Sequence, residues 1–82
     1  MYRPKEQTRP SAYRFERGGI AFYVVLFRIH NTINGGPRYQ AVITWQRPGE
    51  SFACARVFNF RGSYINESQE ASEVLDYMLS TW

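Results

Sequence analysis

The chain holds one histidine and one cysteine, His30 and Cys54. These are the side chains most often recruited to nucleophilic or metal chemistry. A thiol–imidazole pair needs its two groups within about 3 Å. His30 ends one strand-like run, Cys54 lies in another, and a third run separates them. Neighbouring strands lie about 4.8 Å apart, so the two groups stand roughly 10 Å apart across a sheet. That is too far for a dyad. A structural zinc site asks for several ligands at fixed spacing, and this pair does not supply them. Gly18-Gly19 and Gly35-Gly36 have neither the spacing of a phosphate-binding loop nor a helix behind them. Neither a nucleophile elbow nor a kinase signature occurs. No catalytic residue, metal ligand or cofactor is therefore assigned. His30 reads as a surface or interface histidine, and Cys54 as a small buried apolar side chain. Asn66-Glu67-Ser68 has the form of a glycosylation acceptor, but helix capping accounts for it better.

With no chemistry to place, the charge pattern becomes the next guide. The net charge is +3, and it is unevenly spread. Residues 1–61 hold every lysine and arginine, with only Glu6, Glu16 and Glu50 against them. Residues 62–82 hold Glu67, Glu70, Glu73 and Asp76 and no basic side chain. Such asymmetry points either to a charged partner or to mutual neutralisation within one fold. Residues 1–10, with Arg3, Lys5 and Arg9 alongside Pro4 and Pro10, read as a flexible basic arm. Residues 11–82 read as one small α+β domain. The 17% aromatic content lets a small core bury more area per residue. No apolar run reaches the ~18 residues of a membrane span, and no apolar stretch follows the basic N-terminal residues as in a secretory leader. A lone cysteine cannot close an internal disulfide. The expectation is a cytoplasmic protein with no membrane partner.

The longest element runs from Ile20 to Asn31. It is rich in β-branched and aromatic residues and has no glycine or proline, the signature of a strand. Its odd positions Ala21, Tyr23, Val25, Phe27 and Ile29 are all apolar. Its even positions are Ile20, Phe22, Val24 and Leu26, followed by Arg28 and His30. A strand apolar on both faces belongs inside a sheet. Ser11 to Arg17 alternates as a shorter strand before the Gly18-Gly19 turn. Asn34-Gly35 marks the next hairpin, with Thr32 to Pro37 as a protruding loop. Arg38 to Arg47 is a third strand, closed by an Arg47-Pro48-Gly49-Glu50 turn of type II character. Ser51 to Phe60 is the fourth. Its register is open from sequence: Ala53, Ala55 and Val57 form a face of small residues that a helix could approach, and a bulge could shift the phase. Asn66 is placed as an N-cap with Gln69 in the capping-box position. Glu67 and Glu70 favour the helix N-terminus. Ala71, Val74, Leu75, Met78, Leu79 and Trp82 form one apolar stripe. Short connections make the sheet a four-stranded antiparallel meander, with the single C-terminal helix packed on one face.

One helix covers one face, so the other must be accounted for. Phe22, Val24, Leu26 and Val42, with Arg28, His30, Arg38 and Gln40, are assigned to the open side, and an exposed apolar patch marks an interaction site. The candidate partner-binding residues are Phe22, Leu26, Arg28, His30, Arg38, Gln40 and Arg56 on the sheet, and Glu70, Glu73 and Asp76 on the helix. Phe22, Leu26 and His30 are expected to meet a partner or a second copy of the chain, in a homodimer through the open face. Aromatics and arginines on a sheet also suit nucleic acid. Against this, Arg56-Val57-Phe58-Asn59-Phe60 lacks the glycines of the ribonucleoprotein motif, and the element order is not that of the RNA-recognition motif. The three long strands and final helix also look like a double-stranded RNA-binding domain, but the helix start is acidic where phosphate binding asks for lysine.

In size, strand-meander-plus-helix layout over residues 11–82 and lack of a catalytic set, the chain resembles the small phage- and plasmid-encoded inhibitors of host defence, anti-CRISPR proteins in particular. The resemblance implies a non-enzymatic inhibitor, acting in the host cytoplasm, that sterically blocks a host protein or ribonucleoprotein complex. The alternative is a small basic nucleic-acid-binding protein or phage regulator.

Overall fold

The computed structural model describes residues 10–29, 38–62 and 66–82. Most of the expected basic arm, His30 and the Thr32–Pro37 loop lie outside these residues. Four strands, β1 (Ser11–Arg17), β2 (Ile20–Ile29), β3 (Arg38–Trp45) and β4 (Cys54–Arg61), precede one helix, α1 (Glu67–Ser80). The strands pair in chain order as an open antiparallel sheet, the α+β meander expected from the short connections. Gly18 and Gly19 both have positive φ and set Arg17 opposite Ile20, which is the two-residue turn whose twist matches a hairpin. Gly49 at φ 84°, with Glu50 N–H donating to the Arg47 carbonyl at 3.1 Å, closes the type II turn between β3 and β4.

The helix begins as its sequence predicts, with one difference. Asn66 Oδ1 accepts from the Gln69 backbone N–H at 3.1 Å. The Gln69 side chain, however, donates to Glu73 one turn on, at 2.9 Å, rather than back to Asn66. The cap is thus half of a capping box, and the second half is traded for an i,i+4 pair on the exposed side. Ala71, Val74, Leu75 and Met78 are buried. They meet Phe22, Val24 and Leu26 of β2 and Tyr39, Ala41, Ile43 and Trp45 of β3 in one core.

The pairing of β2 with β3 decides which side of the sheet is inside. Phe22 lies opposite Trp45, Val24 opposite Ile43 and Leu26 opposite Ala41. The even residues of β2 therefore share a face with the odd residues of β3, and that face carries the helix. Phe22 and Leu26 are each 1% exposed. Their assignment to the open side, beside Val42, Arg38 and Gln40, is corrected: they are core, and Val42, Arg38 and Gln40 point the other way. The register of the last strand, open from the sequence, is resolved by its pairing with β3. β4 pairs without a bulge from Arg61 opposite Arg38 to Cys54 opposite Trp45. Phe58 and Phe60 turn toward the helix side, and the small-residue face of Ala55 and Val57 turns away from it. Two half-buried phenylalanines fill the space beside α1 better than two small side chains do.

Candidate docking surface

Glu67, the first residue of α1, fixes how the helix sits and so which residues remain free. Its Oε1 accepts from Ser11 Oγ of β1 at 2.9 Å. Its Oε2 accepts from Arg28 Nε of β2 and from Tyr39 OH of β3 at 3.4 Å. Three strands thus converge on one carboxylate. The Arg28 hydrogen bond outweighs the loss of water, which acts in the opposite sense, and holds the Glu67 pKa below its ordinary value. Burial, followed by the Glu67 charge, pushes the Tyr39 phenol up to about 12. Arg28 is therefore not a free cation on the open face. It sits on the helix side, engaged with Glu67, and its expected partner-binding role is corrected to pinning the helix N-terminus. At the other end of α1, Arg17 reaches Asp76 at 3.6 Å and Ser72 at 3.4 Å.

The open side is built from the residues left over. Ala12, Val25, Val42 and Val57 are register partners in a straight line across β1, β2, β3 and β4. Val57 is 54% exposed at one edge. On β2, either side of this aliphatic band, stand Tyr23 and Phe27, 49% and 38% exposed. Next to Phe27 come Gln40 and Asn59, and beyond them Arg38 and Arg61 face each other across β3 and β4. Like charges directly opposite on a sheet repel, and neither arginine has an ion-pair partner among the described residues. At the far side Arg14 pairs with Glu16 at 3.0 Å, and Glu16 is the one acidic side chain on this face among the described residues. Glu67, Glu70, Glu73 and Asp76 all belong to the helix layer. The charge asymmetry along the chain thus becomes a contrast through the sheet: basic on the open side, mixed on the helix side, where the helix carboxylates face Arg17, Arg28 and Arg56.

The expected site residues divide accordingly. Arg38, exposed, and Gln40, half-buried, lie on the open face as assigned. His30 lies outside the described residues. Arg56 is exposed but on the helix side, with its guanidinium 5.2 Å from the Phe58 ring centre. Glu73 and Asp76 are exposed on the helix. Glu70 is half-buried beside a groove of about 420 Å3 that separates α1 from β4, with Phe58, Phe60, Val74 and Tyr77 as its apolar lining. The expected set is therefore not one site: Arg38 and Gln40 lie on the open face, Arg28, Arg56, Glu70, Glu73 and Asp76 on the helix side, and Phe22 and Leu26 in the core. The residues missing from it are Tyr23, Val25, Phe27, Val57, Asn59 and Arg61. Among the described residues no three His, Cys, Asp or Glu side chains gather as a metal site would require, and no helix is long and apolar enough to cross a membrane.

Comparison with known proteins adds no relative to this geometry: no family model, no curated protein and no solved structure matches the chain.

Proposed function

We propose that the protein is a non-enzymatic binding protein that docks its open sheet face on a protein partner and blocks that partner sterically. The aliphatic row Ala12–Val25–Val42–Val57, flanked by exposed Tyr23 and Phe27 and by Arg38 and Arg61, which have no ion-pair partner among the described residues, carries this reading. Apolar centre, aromatic anchors and arginines at the rim are the composition of protein interfaces. The matching surface is apolar with acidic residues toward one side, facing Arg38 and Arg61. A single-stranded nucleic acid fits the same face less well. Tyr23 and Phe27 are four residues apart on one strand, about 13 Å at strand rise, and the band between them is aliphatic and offers no ring to stack a base. The resemblance to phage- and plasmid-encoded inhibitors extends the proposal to the partner's class, a host protein or ribonucleoprotein complex.

Val42→Glu with Val57→Glu tests the reading, since both side chains project away from the core. In pull-downs from host lysate, the double variant is expected to lose a partner that wild type retains, by more than about 2 kcal/mol or thirtyfold in affinity. Glu70→Lys with Asp76→Lys is expected to keep it. A folded Val42→Glu/Val57→Glu protein that still holds the partner overturns the assignment. Sedimentation at micromolar concentration separates the homodimer version, in which the same variant converts a dimer to a monomer.

A further inference from the structure

The helix-bearing side has a corner that the docking surface does not use. Where β3 ends, Trp45 packs against Trp82, which follows the helix, with ring centres 5.2 Å apart. Trp82 also meets Phe22 edge-on at 6.1 Å, yet it remains 52% exposed. The Arg47 guanidinium lies 5.1 Å from the Trp82 ring centre. With Arg56 of β4, these side chains line a shallow recess of about 190 Å3. Arg17 and Arg28, also on this side of the sheet, each have a carboxylate. Arg47 and Arg56 have none among the described residues. Trp45 Nε1 lies beneath this surface with no hydrogen-bond acceptor among the described residues. The corner therefore presents an accessible indole, two uncompensated guanidinium groups and an open recess between them.

We infer that this corner binds one nucleotide unit of a single-stranded nucleic acid, with the base stacked on Trp82 and the adjoining phosphate between Arg47 and Arg56. A cation over an indole holds the place that a base would take. When a base enters, the flexible Arg47 side chain turns from the ring to the phosphate, exchanging a cation–π contact for a charge-assisted hydrogen bond. Stacking on an exposed ring beside arginines is the mode of sequence-tolerant single-strand binding. An acidic peptide would use the two arginines and leave the indole unused, so the nucleotide accounts for more of what is present. The site shares no residue with the open face, so it stands or falls apart from the docking proposal.

Both tryptophans of the chain, Trp45 and Trp82, lie at this corner, so tryptophan emission reports on it alone. Titration with a short oligothymidylate is expected to quench that emission, with an affinity that falls as salt rises. Inorganic phosphate and a polyglutamate peptide at equal charge are expected to leave it unchanged. Arg47→Glu with Arg56→Glu should reduce the slope of log affinity against log salt by about 0.7, the value for one phosphate contact on a single strand. Trp82→Ala should weaken binding about tenfold or more, and Trp82→Phe should restore most of it. Affinity of the last two is followed by anisotropy of a labelled oligonucleotide, and circular dichroism confirms that each variant is folded. No quenching, equal quenching by polyglutamate, or oligonucleotide binding indifferent to the arginine changes would each overturn the inference. The last outcome would move the contact to Arg38 and Arg61.

Discussion

Val25 and Leu26 are neighbours in the chain, similar in chemistry, and they meet opposite fates. Leu26 is sealed under the helix. Val25 lies in the aliphatic band of the uncovered side, next to Tyr23 and Phe27. The difference repeats along β2 and across the sheet: one face is closed by Ala71, Val74, Leu75 and Met78, while the other ends in side chains that touch only their strand neighbours. Hydrophobicity alone does not separate the two faces. Burial is decided by which residues of β3 each one stands beside, and so by where the helix lands. Among the described residues nothing covers the second face, and an exposed apolar patch of this kind is what the docking proposal rests on.

The sharpest way to break this comparison is to truncate one side chain from each face. Leu75→Ala removes a fully buried side chain and is expected to lower stability by about 2–5 kcal/mol. Val57→Ala on the open face is expected to change it by no more than about 0.5 kcal/mol. Urea denaturation measures both, and equal losses would mean that the open face is also covered. Next in size is the pin between the layers. Glu67→Gln is expected to cost about 1–2 kcal/mol, held below the value of a sealed ion pair because Arg28 is partly exposed. The pin also has a pH signature. The Glu67 pKa is lowered in the fold, so its contribution is complete above the ordinary carboxylate pKa and is lost as pH falls through the folded value. The gap between wild type and Glu67→Gln should therefore close on the acid side, as read from denaturation midpoints at stepped pH.

Tyr39 gives a smaller effect of opposite sense. Its pKa of about 12 lies above the ordinary value of 10.0. Its neutral form is thus favoured by the fold, and stability should decline as pH rises from about 10 toward 12. Tyr39→Phe should flatten that part of the profile, which thermal melts in alkaline buffer would show. The smallest expected change is Val42→Thr, within about 0.5 kcal/mol. The same substitution should weaken partner binding if the aliphatic band is the contact.

The order of elements was legible because its signals are local. Two positive-φ glycines make one turn, Pro48-Gly49 another, and Asn66 before a 3.6-residue stripe starts the helix. The faces were not legible, for a specific reason. β2 is apolar on both sides, so its alternation is silent about which side goes inward. β3 does alternate, with Tyr39, Ala41, Ile43 and Trp45 against Arg38, Gln40 and Thr44, but joining it to β2 needs the register across residues 30–37. Setting Phe22 on one face with Val42 rather than with Trp45 is a slip by an odd number of residues, and it reverses every β2 assignment at once. That slip also hid Tyr23 and Phe27, and it left Arg28 free when Glu67 in fact holds it. Arg38 and Gln40 survived because their own strand decides their side.

The helix that completes the core is the last element of the chain. Strands that pair with their sequence neighbours close short loops and form early, whereas helix contacts such as Ser11 with Glu67 and Arg17 with Asp76 span more than fifty residues. Until α1 docks, the sheet is apolar on both sides, with Phe22, Leu26 and Ile43 as bare as Tyr23 and Phe27. A chain stopped short of residue 66 would stay in that state, with both faces open to aggregation. The closing of the inner face thus rests on one segment of sixteen residues, 67–82.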